Sequence, residues 1–215
     1  MHIHAFEGGP EYTIGYLVAD SESGDAVLID CPLGIHDDLS KTVAENKYNL
    51  NAIILTHGHW DHVGETSRIA EACGADVAIH KDDEPFLLEP DSLLGPVPDG
   101  VVGRKADWFI EEGKQITCGS LAFDVLHLPG HSAGHIALHH AETKSLFSGD
   151  VLFAGSIGRT DLHGGNYDTL MESIRNILLP LPADTTVYPG HGPSTTIERE
   201  KSTNPFIIDY LSHFT

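Results

Sequence analysis

Histidine and aspartate residues are concentrated in one short stretch of this 215-residue chain. The stretch reads THGHWDH and directly follows NAIIL, an apolar run typical of a buried strand. Its candidate metal ligands are His57, His59, Asp61 and His62. Imidazole and carboxylate groups at this density suit zinc, with iron and manganese as further options. A polar surface loop seldom places three histidines and an aspartate where a strand ends, so the stretch predicts a metal site.

Three more segments place a ligand type at the end of a predicted strand. They are LPGHSAG around His131, LFSGD ending in Asp150, and VYPGHGP around His191. Active sites of α/β proteins gather at strand ends, so we expect these side chains beside the first cluster. The resulting seven ligands are too many for one tetrahedral site. They suit two divalent cations that share one bridging carboxylate.

The elements that must position these ligands alternate between strand and helix. Strands are predicted at 12–19, 26–30, 51–56, 76–80, 115–118, 121–128, 136–140, 145–147 and 185–188. Helices are predicted at 37–46, 63–73 and 167–179. This alternation is typical of an α/β fold. Because strands precede helices in both halves, we expect two sheets packed face to face with helices outside.

The chain length favours a single domain over residues 1–215, built from two halves at about 1–87 and 106–215. A loop at 88–105, rich in proline and glycine, joins the halves. Its length suggests a lid or a wall of the substrate site, and a variable surface excursion is the alternative.

The composition excludes several classes of partner. The chain has 12 basic and 32 acidic residues, a formal charge of −20, which disfavours nucleic acid and anionic membranes. No apolar stretch approaches the roughly 18 residues that a membrane span needs, and the first residues do not resemble a secretory signal. Three widely spaced cysteines fit a reduced compartment. We therefore expect a cytoplasmic protein with a small-molecule substrate; the sequence leaves its oligomeric state open.

The motifs THGHWDH, PGHSAGH, FSGD and YPGHGP resemble those of the metallo-β-lactamase superfamily, in the order that superfamily uses. The resemblance covers about residues 12–197 and is strongest to the glyoxalase II branch. It implies a four-layer αββα sandwich, with two mixed sheets inside, helices outside and the metals at one edge. Carried over position by position, the implied ligands are His57, His59 and His131 for the first metal, Asp61, His62 and His191 for the second, and Asp150 as the bridge.

This resemblance implies a binuclear, metal-dependent hydrolase of small thioesters, similar to hydroxyacylglutathione hydrolase. A metal-bound hydroxide would attack the thioester carbonyl, with two Zn²⁺ as the expected metals and iron or manganese as alternatives. Asp61 resembles the family residue that both ligates a metal and orients the hydroxide. We expect the chain to lack the helical domain with which longer glyoxalase II enzymes grip glutathione. The expected substrate is S-lactoylglutathione or another acyl thioester of a small thiol.

One arginine and one histidine outside the ligand set are expected to lie near the metals. The segment GSIGRTD resembles a loop of small glyoxalase II-like hydrolases, and its Arg159 could hold a substrate carboxylate by a bidentate contact. A structural pair between Arg159 and Asp161 is the alternative. His135 is a candidate partner for a liganding imidazole.

Other activities on the same ligands remain open from sequence alone. A mononuclear iron persulfide dioxygenase, with iron held by His57, His131 and Asp150, is the main alternative to the hydrolase. A β-lactamase is less favoured, because the best-known zinc class is exported and has cysteine where this chain has Asp150. The charge of −20 disfavours a nuclease, and a structural zinc module would need only four ligands.

Overall fold

The computed structural model describes residues 1–90 and 97–214, which form two six-stranded sheets, a two-stranded ribbon and flanking helices. The first sheet contains β1 (His2–Gly8), β2 (Thr13–Ala19), β3 (Asp25–Ile29), β4 (Asn49–Ile54), β5 (Asp76–His80) and β6 (Trp108–Ile110). The second contains β7 (Gln115–Cys118), β8 (Leu121–His127), β9 (Ile136–His140), β10 (Ser145–Gly149), β13 (Thr186–Pro189) and β14 (Thr195–Thr196). The ribbon is β11 (Leu152–Phe153) and β12 (Ser156–Ile157). The helices are α1 (His36–Asn46), α2 (Trp60–Val63), α3 (Thr66–Cys73), α4 (Glu84–Leu88), α5 (Tyr167–Ser173), α6 (Ile197–Thr203) and α7 (Pro205–Ser212).

Both large sheets are mixed. In the first, β1, β2 and β3 are antiparallel neighbours, and β3 to β6 continue in parallel. In the second, β10 and β13 are parallel while the order β14-β13-β10-β9-β8-β7 is otherwise antiparallel. The predicted α/β sandwich with two mixed sheets is therefore confirmed.

Alternate residues of one strand show how the layers stack. Leu17 of β2 lies in a buried cluster with Leu39 of α1, whereas its neighbour Val18 lies in a second cluster with Phe123 of β8. The second cluster fills the space between the sheets, and a third joins the second sheet to α5, α6 and α7. Burial on both faces explains why these strands read as continuous apolar runs rather than alternating ones.

The helix predicted at 63–73 is shorter in the structure: α3 covers Thr66–Cys73, and Val63 ends the separate short helix α2. Gly64 separates them, and a Cβ there would lie 2.7 Å from the Leu33 side chain, so the backbone sits directly on Leu33. The backbone of this turn is hydrogen-bonded to Cys31. The N–H of Cys31 donates to the carbonyl of His62, and its carbonyl accepts from the N–H of Glu65. The helix predicted at 167–179 similarly changes to a π-helical turn over Ile174–Leu178.

The boundary between the halves also differs from the prediction. Strand β6 pairs in parallel with β5, so the first sheet continues to Ile110, beyond the expected start of the second half at 106. Residues 91–96 of the predicted lid lie outside the described residues. The described part of that loop contributes no residue to the lining of the cleft discussed below. Among residues 1–90 and 97–214, no helix has the length and apolarity needed to cross a membrane.

Candidate metal centre

The seven predicted ligands come together at one edge of the sandwich. Four strand ends deliver five of them: β4 precedes His57 and His59, β8 precedes His131, β10 precedes Asp150, and β13 precedes His191. The short helix α2 carries the remaining two, Asp61 and His62.

Three histidines form one potential metal site. The ligand atoms of His57, His59 and His131 all lie within 4.8 Å of one another, and the three residues are buried. The Nε2 atoms of His57 and His131 are 3.2 Å apart. Within the described part of the chain, the buried Nε2 of His59 has no hydrogen-bond partner. A buried nitrogen left in this way is costly unless a cation or water satisfies it, so this triad fits a metal.

A second potential site lies beside the first. The ligand atoms of Asp61, His62 and His191 also fall within 4.8 Å of one another. The Oδ2 atom of Asp61 is 3.4 Å from the Nε2 atoms of both histidines. This mixed carboxylate and imidazole set suits zinc, iron or manganese.

Asp150 lies between the two triads. Its Oδ1 atom is 3.2 Å from Nε2 of His62. Its Oδ2 atom is 3.3 Å from Nε2 of His191 and 3.7 Å from Nε2 of His131. One carboxylate therefore faces ligands of both sites, which is the arrangement that a bridging ligand requires.

Hydrogen bonds behind the rings orient the ligands. The Nδ1 atom of His131 lies 2.7 Å from the carbonyl of Arg159, and that of His191 lies 3.1 Å from the carbonyl of Glu11. A carbonyl only accepts, so each Nδ1 carries the proton and, in the neutral ring, Nε2 presents a lone pair. The Thr13 hydroxyl donates to Oδ2 of Asp61 at 2.6 Å.

Asp30 supports His62 directly and His57 through Thr56, a role that the sequence analysis did not predict. Its carboxylate accepts from Nδ1 of His62 at 2.8 Å and from the backbone and hydroxyl of Thr56, each at 2.8 Å. The same hydroxyl is 3.0 Å from Nδ1 of His57. Asp30 ends the run AVLID, the same pattern of a polar residue at a strand end that identified Asp150. That pattern was the available signal.

Glycine is required where the backbone passes the carboxylate of Asp150. A Cβ at Gly190 would lie 2.3 Å from its Oδ1 atom and 2.6 Å from Cε1 of His62. A Cβ at Gly158 would lie 1.9 Å from the carbonyl oxygen of Asp150. Side chains at these positions would displace Asp150, so the glycines permit the close approach of the backbone.

In the second triad, the negative charge of the carboxylates and the positive charge of protonated histidines offset each other. Burial opposes ionisation of Asp61, but the charge of His62 and hydrogen bonds from His191 and Thr13 together outweigh burial and lower the pKa of Asp61 to about 2. Burial likewise opposes charge on His191, yet contacts with Asp150 and Asp61 raise its pKa to about 10. These carboxylates also raise the pKa of His62 well above its usual value, against the effect of burial. A divalent cation that binds here must displace these protons.

The first triad differs in charge. Burial, reinforced by the neighbouring histidines, lowers the pKa of His57 well below its usual value. Burial also lowers the pKa of His59 to about 3. Both rings are therefore neutral near pH 7, the form in which imidazole binds a metal.

His135 lies directly behind the site. Its ring stacks on that of His57 with centroids 4.8 Å apart, and its Nε2 accepts from the backbone N–H of Asp150 at 3.0 Å. His135 therefore lies beside two predicted ligands, but among the described residues it makes no hydrogen bond to a liganding imidazole, so the expected pairing is not seen.

A cleft of 240 Å³ opens over the two triads. Glu11, Trp60, Arg159 and Leu162 line it together with ligands of both sites. Asp161 holds Arg159 through two hydrogen bonds, of 2.7 Å to Nε and 2.9 Å to Nη2. The structure thus shows the structural pair, while Arg159 still borders the cleft.

The fold and these two triads identify the class of protein. Residues 8–191 match the Metallo-beta-lactamase superfamily, and the chain belongs to that family. The predicted resemblance is confirmed. The chain is 40% identical over 196 residues to "Hydroxyacylglutathione hydrolase GloC" of Haemophilus influenzae, covering 89% of this chain and 91% of the relative. It is 36% identical over 189 residues to "Probable metallo-hydrolase YqgX" of Bacillus subtilis, covering 86% and 89%. These relatives support a metal-dependent hydrolase.

Solved structures agree with this placement. The BLEG-1 B3 metallo-beta-lactamase superposes with a TM-score of 0.88 at 36% identity, covering 96% of this chain and 99% of the other. TTHA1623 in a di-iron-bound form gives 0.79 at 38% identity, covering 94% and 99%. ETHE1 from Myxococcus xanthus gives 0.79 at 28% identity, covering 100% and 92%.

Proposed function

We propose that the protein is a binuclear, metal-dependent hydrolase of small thioesters, similar to hydroxyacylglutathione hydrolase. The observation that carries this proposal is the complete second triad of Asp61, His62 and His191 beside the first, with Asp150 facing both. The H. influenzae relative, a hydroxyacylglutathione hydrolase by name, supports the thioester substrate.

The residues of the site have separable tasks in this reaction. The two triads and Asp150 would hold two divalent cations, Zn²⁺ as the first choice and iron or manganese as alternatives, which would activate water at neutral pH and polarise a carbonyl. Asp61 lines the cleft, and Thr13 fixes its carboxylate, so it can accept a hydrogen bond from the attacking water and orient it. A thiolate leaves without prior protonation, so the reaction needs no side-chain acid at the leaving sulfur.

The cleft favours a small substrate. A volume of 240 Å³ fits an acyl group with its thioester better than a whole thiol carrier. We propose that Arg159 exchanges Asp161 for a carboxylate of the thiol carrier. Its Nε and Nη2 atoms already bind the two oxygens of a carboxylate, that of Asp161, and could bind a substrate carboxylate in the same way. The charge of −20 argues against nucleic acid and membrane partners, and the three free cysteines suit a cytoplasmic location.

A mononuclear iron persulfide dioxygenase is the second candidate. The likeness to ETHE1 from M. xanthus, which spans the whole of this chain with a TM-score of 0.79, is consistent with it. His57, His131 and Asp150 stand close enough to hold one iron, with 3.2 Å and 3.7 Å between their ligand atoms. Such an enzyme would not need Asp61, His62 and His191 as ligands.

Two assays on one preparation distinguish the candidates. Protein purified without chelators is tested for metal content, for cleavage of S-lactoylglutathione by absorbance, and for oxidation of glutathione persulfide with an oxygen electrode. We expect two metals per chain and thioester cleavage without oxygen uptake. The variant His191→Ala should lose the hydrolase activity because it removes a ligand of the second site. Oxygen uptake that survives in His191→Ala, without thioester cleavage, would establish the dioxygenase instead.

A further inference from the structure

We infer that Asp83 is a positioning residue that fixes the first metal site by joining the two loops that supply its ligands. This inference rests on the proposed function insofar as that function requires a metal at His57, His59 and His131. Asp83 follows β5 and lies outside every ligand motif that the sequence reveals.

Three hydrogen bonds carry the inference. One oxygen of Asp83 accepts from the backbone of Gly58 at 3.1 Å, between His57 and His59. The same oxygen accepts from the hydroxyl of Ser132 at 2.6 Å, directly after His131. Its other oxygen accepts from the backbone of Gly134 at 2.6 Å. One side chain thus holds both loops of the first triad at once.

The two loops also touch the Asp83 turn directly. A Cβ at Gly58 would lie 2.6 Å from the carbonyl oxygen of Asp83 and from the Cβ of Phe86. A Cβ at Gly134 would lie 2.8 Å from the backbone nitrogen and the Oδ1 atom of Asp83. Glycine allows each loop to lie on this turn, so the carboxylate sets the distance between the loops.

Burial makes the three hydrogen bonds of Asp83 costly to lose, because water cannot replace them. Asp83 and Ser132 are both fully buried, and the three donors to the carboxylate are neutral. Burial raises the pKa of Asp83. A buried carboxylate held by hydrogen bonds rather than by a cation depends on every one of its donors, and each donor depends on it. Loss of the carboxylate should therefore release both loops.

The second triad has other supports. Thr13 holds Asp61, Asp30 holds His62, and the carbonyl of Glu11 accepts from His191. The hydrogen bonds of Asp83 reach neither these supports nor their ligands. A substitution at Asp83 should therefore weaken the first site selectively, whereas a general loss of structure would weaken both.

The test compares Asp83→Asn with Thr13→Val, a matched substitution that removes one support of the second triad, the hydrogen bond to Asp61. Crystals of the wild type and both variants are equilibrated with zinc buffered by a chelator, and anomalous scattering gives the zinc occupancy of each site. We expect Asp83→Asn to weaken zinc binding at the first site by about 10–100-fold, as loss of a residue behind a ligand does, and to leave the second site within about threefold. Thr13→Val should show the opposite selectivity.

Ser132→Ala keeps the inference testable if Asp83→Asn does not fold. It removes one of the three hydrogen bonds and leaves the carboxylate in place, so a smaller loss confined to the first site is expected. Unchanged first-site binding in a folded Asp83 variant, or an equal loss at both sites, would overturn the inference. Thioester cleavage by the wild type is measured separately, so failure of the proposed function would show there and not in the occupancies.

Discussion

Replacement of Asp30 by Asn tests whether the residues behind the ligands determine metal binding. Asp30 has φ of 62°, a left-handed conformation that Asn also adopts, so the backbone should not change. The amide can no longer accept from Thr56 and His62 together, because one of its two polar ends is a donor. At least one buried donor is left without an acceptor.

The expected size of the effect follows from burial. The side chains of His62 and Asp30 are 0% and 3% exposed, and their contact is 2.8 Å. Breaking a buried charged pair costs about 3–5 kcal/mol. Asp61 and Asp150 still face His62, so we expect the low end, about 3 kcal/mol in the unfolding free energy of metal-stripped protein. Affinity for the second metal should fall about 10–100-fold.

Two measurements check this prediction. Urea denaturation of metal-stripped protein gives the loss of unfolding free energy, and competition with a chromophoric chelator gives the zinc affinities. Asp37→Asn is the control, because that side chain is 88% exposed and should change stability by less than about 0.5 kcal/mol. An Asp30→Asn protein with the stability and both zinc affinities of the wild type would refute the reasoning.

Three further predictions concern catalysis, charge and substrate. Asp61→Asn, at verified metal content, should lower kcat by about 100-fold or more and change KM much less, because the carboxylate acts in the transition state; equal kcat with a raised KM would assign it to substrate binding. Zinc binding to metal-stripped protein at pH 8 should release protons, since the pKa of His191 is raised to about 10 and that of His62 is raised as well. Apparent affinity should then rise with pH up to about 10, and calorimetry in buffers of different ionisation enthalpy counts the protons; binding without release would contradict the charge assignment. For a glutathione thioester, Asp161→Asn should lower KM by freeing the guanidinium and Arg159→Ala should raise it, as steady-state kinetics will show; two unchanged KM values would remove Arg159 from substrate binding.

The sequence predicts the central strands well and the edges poorly. The inner strands are buried on both faces, and their apolar runs are unmistakable. Strand β1 is an edge strand in which no residue is fully buried, so it lacks an apolar pattern. Strand β6 has three residues, with Trp108 and Phe109 exposed. Helices α4, α6 and α7 were missed as well, and each has only five to eight residues.

The ligand types are visible in sequence, but their supports are not. The motifs bring together residues close in sequence or at strand ends, and the structure assembles all seven. Asp83 lies in KDDEP, which reads as a solvated turn, and its contacts with Gly58 and Ser132 cross 25 and 49 positions. Such contacts depend on the tertiary packing of one loop on another, so no local spacing reveals them.

The compensated charges of the second triad bear on the order in which the chain folds and acquires its metals. Protonated His62 and His191 neutralise Asp61 and Asp150, because the pKa values of the histidines are raised and those of the carboxylates are lowered. The chain can therefore complete its fold with protons in the places of cations. Metal binding would then follow folding, as an exchange of the protons on His62 and His191 for divalent cations.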